Sequence, residues 1–387
     1  MQRSAVVGVI GVVVALALAI GLTATALGLP GGGSKPSPVA QATTAPTATA
    51  APATTTPTAS PSPMPTPSPI PTPIPTPVTV AAPLTGELVD PAIARRHPIA
   101  VMIDDLRPAR PQSGLSQADV VWQAPAEGGI PRYMAIFQTE LPKAIGPVRS
   151  SRYYYITWAA EWRALYAHAG GSPQAIDVLR RKGSGQYVYN ADEFRYSNSF
   201  HRVTNRFAPH NLYTSSSALR KIAARIGAKD KDYKPIWTFA PDAPLSARPE
   251  GGSIQVKYLA NTITYRYDRE SNTYRRSVTG EAKEKDAGTG KQIAPKNVIV
   301  MRMSFGALND GHPSKHRLEA KVVGSGKAWI ATNGKTIVGT WKKTSVTGPT
   351  RFFDKAGNPV TLTVGQTFIQ VMQLTSPVAV VPGKAVP

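Results

Sequence analysis

The chain has 387 residues, no cysteine, 44 Lys and Arg against 23 Asp and Glu, and a formal net charge of +21. Without cysteine, disulfides and a thioether-linked lipid are excluded, so an exported domain of this sequence must be held by its core alone. The charge points to acidic partners such as envelope polymers, anionic phospholipid headgroups or extracellular nucleic acid, and it calls for no specific nucleic acid.

Residues 1–29 carry one charge, Arg3, ahead of an apolar run from Ala5 to Leu22. At ~1.5 Å per residue that run just spans a bilayer, which predicts a retained signal anchor in the cytoplasmic membrane. The alternative is a cleaved signal peptide, for which Ala24-Thr25-Ala26 has the small-residue pattern, although the apolar run exceeds the usual ~7–15-residue signal core. Both readings export the rest of the chain, and the first gives a single-pass protein of the cell membrane with its C-terminal domains outside the cytoplasm. Residues 30–82 are rich in Pro, Thr, Ala and Ser, as in P-T-P-S-P-I-P-T-P-I-P-T-P. Such a segment cannot bury enough apolar surface to fold and reads as a disordered stalk.

From Pro83 the chemistry changes, and about 300 residues follow, enough for two domains of ordinary size. In 83–245 strands alternate with helices. Strands are expected at His97–Asp105, from Ala118, from Pro131 and at Ala164–His168, with Glu127-Gly128-Gly129 as a turn. Helices are expected over 148–161, over 173–182 opening at Ser172-Pro173, and over Ser215–Ile226 ending at Gly227. From 252 to 376 short runs alternate in polarity, among them S-I-Q-V-K-Y, T-I-T-Y-R-Y-D, N-V-I-V-M-R-M, E-A-K-V-V-G and T-F-I-Q-V-M, divided by turns such as Asn333-Gly334. The fold class is therefore α+β: a mixed α/β domain, a seam at 243–251, then a mainly β domain forming a sandwich or open barrel, and a tail at 377–387.

The functional wager falls on Ile145–Pro173. If 148–161 is helical, Arg149 and Arg152 are three apart and share a face, and Ser172-Pro173 opens a second helix. Two helix starts near arginines and His168 make an anion site for an envelope polymer or a phosphate-containing ligand. Asp104 at a strand end, Arg132, Gly170, Gly171, Ser172, His210 and Asn211 complete the ligand-binding set. The competing reading pairs the arginines with Asp104, Asp105 or Glu127 in a structural network, makes Ser172 an N-cap, and leaves the glycines and Asn211 as turn residues. Glu127, His168 and His210 are the acid–base candidates of a hydrolase or transferase acting on an envelope polymer. No G-x-S-x-G elbow, phosphate loop, dinucleotide fingerprint or metal-ligand spacing is present, so no cofactor or metal is expected. Lys327, Lys335, Lys342 and Lys343 with Trp329 and Trp341 form either a basic aromatic surface or lysine-guarded hairpin edges.

The motifs P-L-T-G (83–86), R-P-Q-S-G-L-S-Q-A-D (110–119), E-G-G-I-P-R (127–132), I-G-P-V-R-S-S-R (145–152), H-A-G-G-S-P (168–173), A-P-H-N-L-Y (208–213) and N-G-K-T-I-V-G-T-W-K-K (333–343) occur in this order. In number and order they resemble the YerB-like bacterial envelope proteins, a two-domain family of unknown function whose members are often lipoproteins. The resemblance spans 83–375 and implies an anchored extracytoplasmic protein with an α/β domain followed by a β domain, with no established activity. This chain lacks the lipid-attachment cysteine, which puts the apolar helix in the anchor role.

Overall fold

A strand apolar at every position is expected to be buried on both faces. In the structure, a computed structural model that describes residues 78–182 and 185–386, β1 (Ile99–Asp104) is buried at all six positions. Ala100 and Met102 enter one core, while Ile99, Val101 and Ile103 enter another on the opposite face. The anchor region 1–29 and all but the last residues of the stalk lie outside the described residues. Among the described residues no helix is long and apolar enough to cross a membrane.

The main elements continue with β2 (Val120–Pro125), β3 (Pro131–Phe137), α1 (Tyr153–Ala159), β4 (Leu165–His168), α2 (Pro173–Arg180), β5 (Tyr189–Asp192) and α3 (Ser216–Arg225). They are followed by β6 (Ser253–Lys257), β7 (Thr262–Asp268), β8 (Thr273–Val278), β9 (Asn297–Met303), β10 (Gly324–Thr332), β11 (Lys335–Lys343), β12 (Arg351–Phe353), β13 (Thr367–Gln373) and β14 (Val378–Val381). Ten strands form one sheet in the order β12-β11-β10-β9-β13-β2-β3-β1-β4-β5, and four form a second, β8-β7-β6-β14. Side chains of α1 and α2 pack in the core on one face of the large sheet, and those of α3 and the second sheet pack on the other.

The N-terminal part is mixed and the C-terminal part mainly β, as the composition of the runs predicts. The C-terminal strands do not close a sandwich or barrel of their own. β13 pairs in parallel with β2, from Thr367↔Val120 to Gln370↔Gln123, so one sheet runs through both parts. Residues 377–387, read as a tail, supply β14, which pairs with β6. Of the E-A-K-V-V-G run, Glu319 and Ala320 belong to the short strand Leu318–Ala320, in a hairpin with Phe305–Ala307, while Gly324 opens β10.

The expected helix over 148–161 begins only at Tyr153, and its N-cap, Arg152, has extended backbone with φ −131° and ψ 150°. The reason is tertiary. β4 flanks β1 only as far as Val101. Beyond that point the segment around Val148 takes its place, with Asp104 N–H donating to Pro147 O at 2.9 Å and Arg149 N–H to Met102 O at 2.9 Å. Arg149 and Arg152 therefore share no helical face. The other two helices start as read: Ser172 and Ser215 cap α2 and α3, and Gly227, with φ +76°, follows α3.

Candidate functional site

The segment 145–149 brings the site together because it is clamped on both sides. Ile145 N–H donates to Thr214 O at 2.8 Å and Val148 N–H to Leu212 O at 2.6 Å, while Pro147 and Arg149 bond the end of β1. Only glycine fits at 146, since φ is +152° and a Cβ would lie 2.8 Å from Leu212 O. The clamp delivers Arg149 from one loop and His210 from another to the same acceptor. Arg149 Nε lies 3.1 Å from Asp104 Oδ2, and His210 Nδ1 lies 2.7 Å from it. Leu106 N–H donates to the other oxygen at 3.1 Å.

Beside this group, Arg132 is the cross-strand partner of Asp104. Its Nη2 lies 2.7 Å from Glu127 Oε2 and its Nη1 donates to Ser150 O at 3.0 Å. Arg152 pairs with the other oxygen of Glu127 and donates to Ser151 O. The arginines thus meet Asp104 and Glu127, two of the three acids named in the network reading. Burial lowers the pKa of all three guanidinium groups; Asp104 opposes this at Arg132 and Arg149, and repulsion from Arg132 adds to it at Arg149. Arg132 and Arg152 are buried, whereas the Arg149 side chain keeps 21% exposure. Among the described residues the two terminal nitrogens of Arg149 have no hydrogen-bond partner.

The remaining candidates support this arrangement or stand apart from it. His168 is fully buried, with Nδ1 2.8 Å from Gly170 O, Nε2 2.8 Å from Asn190 Oδ1, and the Asp192 carboxylate 3.9 Å away. Gly170 and Gly171 let the 169–172 turn lie against Ser151, whose N–H donates to Gly170 O at 2.9 Å. Ser172 Oγ accepts from Ala175 N–H at 3.4 Å, the expected cap. Asn211 organises the loop that presents His210: its amide donates to Val203 O at 3.1 Å and Arg206 O at 3.2 Å and accepts from Arg202 at 2.8 Å. Among the described residues no hydrogen bond or ion pair joins Glu127 to His168 or His210, so the acid–base candidates are not coupled.

In the β part, Lys343 is buried with Nζ 2.9 Å from Glu161 Oε1, and Trp341 is buried and donates to Arg302 O at 2.7 Å. Both leave the expected surface set, in which Lys327 lies over the Trp329 ring at 4.5 Å and Lys335 and Lys342 are exposed. A pocket of about 650 Å³ is lined by Trp329, Lys335 and the 382–386 segment, and by none of the Asp104 or Glu127 groups.

The sequence reading missed a second polar cluster. Asp105 is wholly buried and accepts from Arg110 at 3.0 Å, Gln123 at 2.6 Å and Asn261 at 3.2 Å. Gln123 in turn accepts from Arg276 at 2.8 Å, and Arg276 pairs with Glu284 between the sheets. The available signal was parity: Tyr274, Arg276 and Val278 alternate on β8, which put an arginine on the apolar face.

A family model described as "Protein of unknown function (DUF3048) N-terminal domain" matches residues 84–231, and its C-terminal counterpart matches 254–369. The putative lipoprotein YerB of Bacillus subtilis (strain 168) is 35% identical over 269 residues, which cover 68% of this chain and 78% of that protein. The crystal structure of YerB from Bacillus subtilis matches with a TM-score of 0.69 at 28% identity, covering 78% of this chain and 99% of that one. With both family models matched in order, and a relative this similar over most of its length, the chain belongs to the YerB family, whose two domains are described as being of unknown function.

Proposed function

We propose that the chain is a membrane-tethered, extracytoplasmic binding or scaffold module of the cell envelope, which holds an anionic ligand at the face formed by Arg149, Asp104 and His210. The location is supported by the N-terminal apolar run and by the name of the relative, "Putative lipoprotein YerB". The observation that carries the ligand reading is the Arg149 guanidinium. Its Nε forms an ion pair with Asp104 at 3.1 Å without hydrogen-bond geometry, its terminal nitrogens have no partner among the described residues, and its charge lies beside that of Arg132. A guanidinium with both terminal nitrogens open can make two parallel bonds to phosphate or carboxylate. Asp104, already shared by Arg149, His210 and a backbone N–H, acts as the positioning group.

The test is calorimetric titration with inorganic phosphate and pyrophosphate at low salt. Saturable binding is expected in the wild type, and Arg149→Ala should weaken it at least tenfold, about 1.4 kcal/mol. Equal binding by wild type and variant would remove Arg149 from the ligand's contacts.

A further inference from the structure

Beyond Glu127 in the chain the same turn forms the wall of a groove of about 590 Å³, within the ~300–1,000 Å³ range of small-molecule sites. The fold builds it from three pieces. The hairpin of Phe305–Ala307 and Leu318–Ala320 extends past the end of β9, and Gly128 N–H ties it to the Glu127–Gly129 turn by donating to His316 O at 3.0 Å. Leu259, in the β6–β7 turn, lies over Gly129, where a Cβ would come within 3.2 Å of the Leu259 Cβ. The walls are largely apolar, with Leu259, Leu308, Pro313 and Leu318, and among the described residues no acidic side chain is part of the lining, although Asp310 pairs with the lining residue Arg317.

Two features point to an occupant. Leu259 is 81% exposed, an apolar surface left in water at the mouth of an apolar groove. Arg317 lines the same groove beside His316. Its Nη1 bonds Asp310 at 2.6 Å, and its buried Nε has no hydrogen-bond partner among the described residues. The side chain keeps 16% exposure and its Nη2 has no hydrogen-bond partner among the described residues, so that nitrogen can donate to an anionic group in the groove.

We infer that this groove is a second binding site, for a single anionic amphiphile: a hydrocarbon chain lies over Leu259, Leu308 and Leu318, and its phosphate or carboxylate head sits at Arg317 and His316. The groove lining includes neither Arg149 nor His210, so the inference is independent of the anion face described above.

The experiment titrates the protein with octyl, decyl and dodecyl phosphate below their micellar concentrations, with dodecyltrimethylammonium and inorganic phosphate as controls. One saturable site is expected, tightening roughly fourfold per added methylene, as full burial of each CH₂ requires. Leu259→Ser, at an exposed position that leaves the core untouched, should weaken dodecyl phosphate at least tenfold. Arg317→Gln should weaken it comparably, and Arg149→Ala should leave it unchanged. The inference is overturned by the absence of saturable binding, by indifference to both Leu259→Ser and Arg317→Gln, or by equal binding of dodecyltrimethylammonium. A loss confined to Arg149→Ala would also overturn it, because the head would then sit at the other face.

Discussion

Asp104 and Asp105 are consecutive residues at the end of β1, and extended backbone sends their side chains to opposite faces of the sheet. Asp104 reaches the rim, where two of its three partners, Arg149 and His210, keep part of their side chains in solvent. Asp105 enters the space between the two sheets, where both carboxylate oxygens are taken and the chain of partners runs through Gln123 to Arg276, Glu284 and Tyr133. The second cluster joins β1, β2 and β3 to β8 and its neighbours, so it belongs to the architecture. The first has donors to spare, on Arg149, which is what the proposed anion site rests on. Residue type and local sequence are the same; what differs is that the Asp105 partners are buried between the sheets while Arg149 and His210 remain partly open to solvent.

The comparison is broken most directly at its two arginines. Arg276 is fully buried against Glu284, with Nε donating to Tyr265 Oη at 2.9 Å. Arg276→Met should cost about 3–5 kcal/mol in denaturant unfolding, because Glu284 is left as an uncompensated buried charge. Replacing Glu284 as well should recover part of the loss. Arg149→Met, at a partly exposed pair, should cost less than ~1 kcal/mol. Equal costs would mean that the two clusters are both structural.

The buried class also has a pH signature. Burial pushes the Asp105 carboxyl up to about 6 against the pull of Arg110, and pushes Asp119 up to about 7 against hydrogen bonds from Thr139 and Gln138. A carboxyl whose folded pKa lies above its unfolded value contributes stability that is fully present below the unfolded pKa, about 4, and is lost as pH rises through the folded pKa. Stability from these groups should therefore fall between about pH 4 and 7. Asp119→Asn can still accept from Gln138 N–H and Thr139 N–H while no longer ionising. Its unfolding free energy should lose less over that window, by on the order of a few kcal/mol. A slope identical to wild type would mean that Asp119 ionises as readily in the folded chain as in the unfolded one.

How much of this was legible in the sequence follows from how far apart the partners lie. Elements set by local chemistry were readable: the Ser172 cap, the helix near Ser215 ending at Gly227, the apolar run of β1, and the Asn333-Gly334 turn, whose φ values are 48° and 72°. The shared sheet was not, because Thr367 pairs with Val120 across most of the folded chain and neither strand carries a mark of its neighbour. The helix over 148–161 shows local spacing overruled. An R-x-x-R spacing fits a helix, but the free edge of β1 beyond Val101 offers Pro147 O and Arg149 N–H hydrogen bonds that a helix there would forgo. The two arginines meet separate acids, Asp104 and Glu127, so the ion pairing was readable as one of the two readings while the arrangement was not.

A comparably small effect on stability falls on Ser172, which the sequence assigns both to the ligand and to the start of a helix. Its hydroxyl accepts from Ala175 N–H and the side chain is almost fully buried, with Pro173 in the first turn of α2. Ser172→Ala should lower stability by about 1 kcal/mol in thermal unfolding, the cost of a lost N-cap. Phosphate affinity should stay at the wild-type value, because the hydroxyl is committed to the helix and Arg149 is held from Asp104 instead. If affinity fell tenfold with stability unchanged, Ser172 would move to the recognition class. The division drawn at Asp104 and Asp105 would then have to extend across the 169–172 turn, with Gly170 and Gly171 reassigned from packing against Ser151 to admitting a ligand.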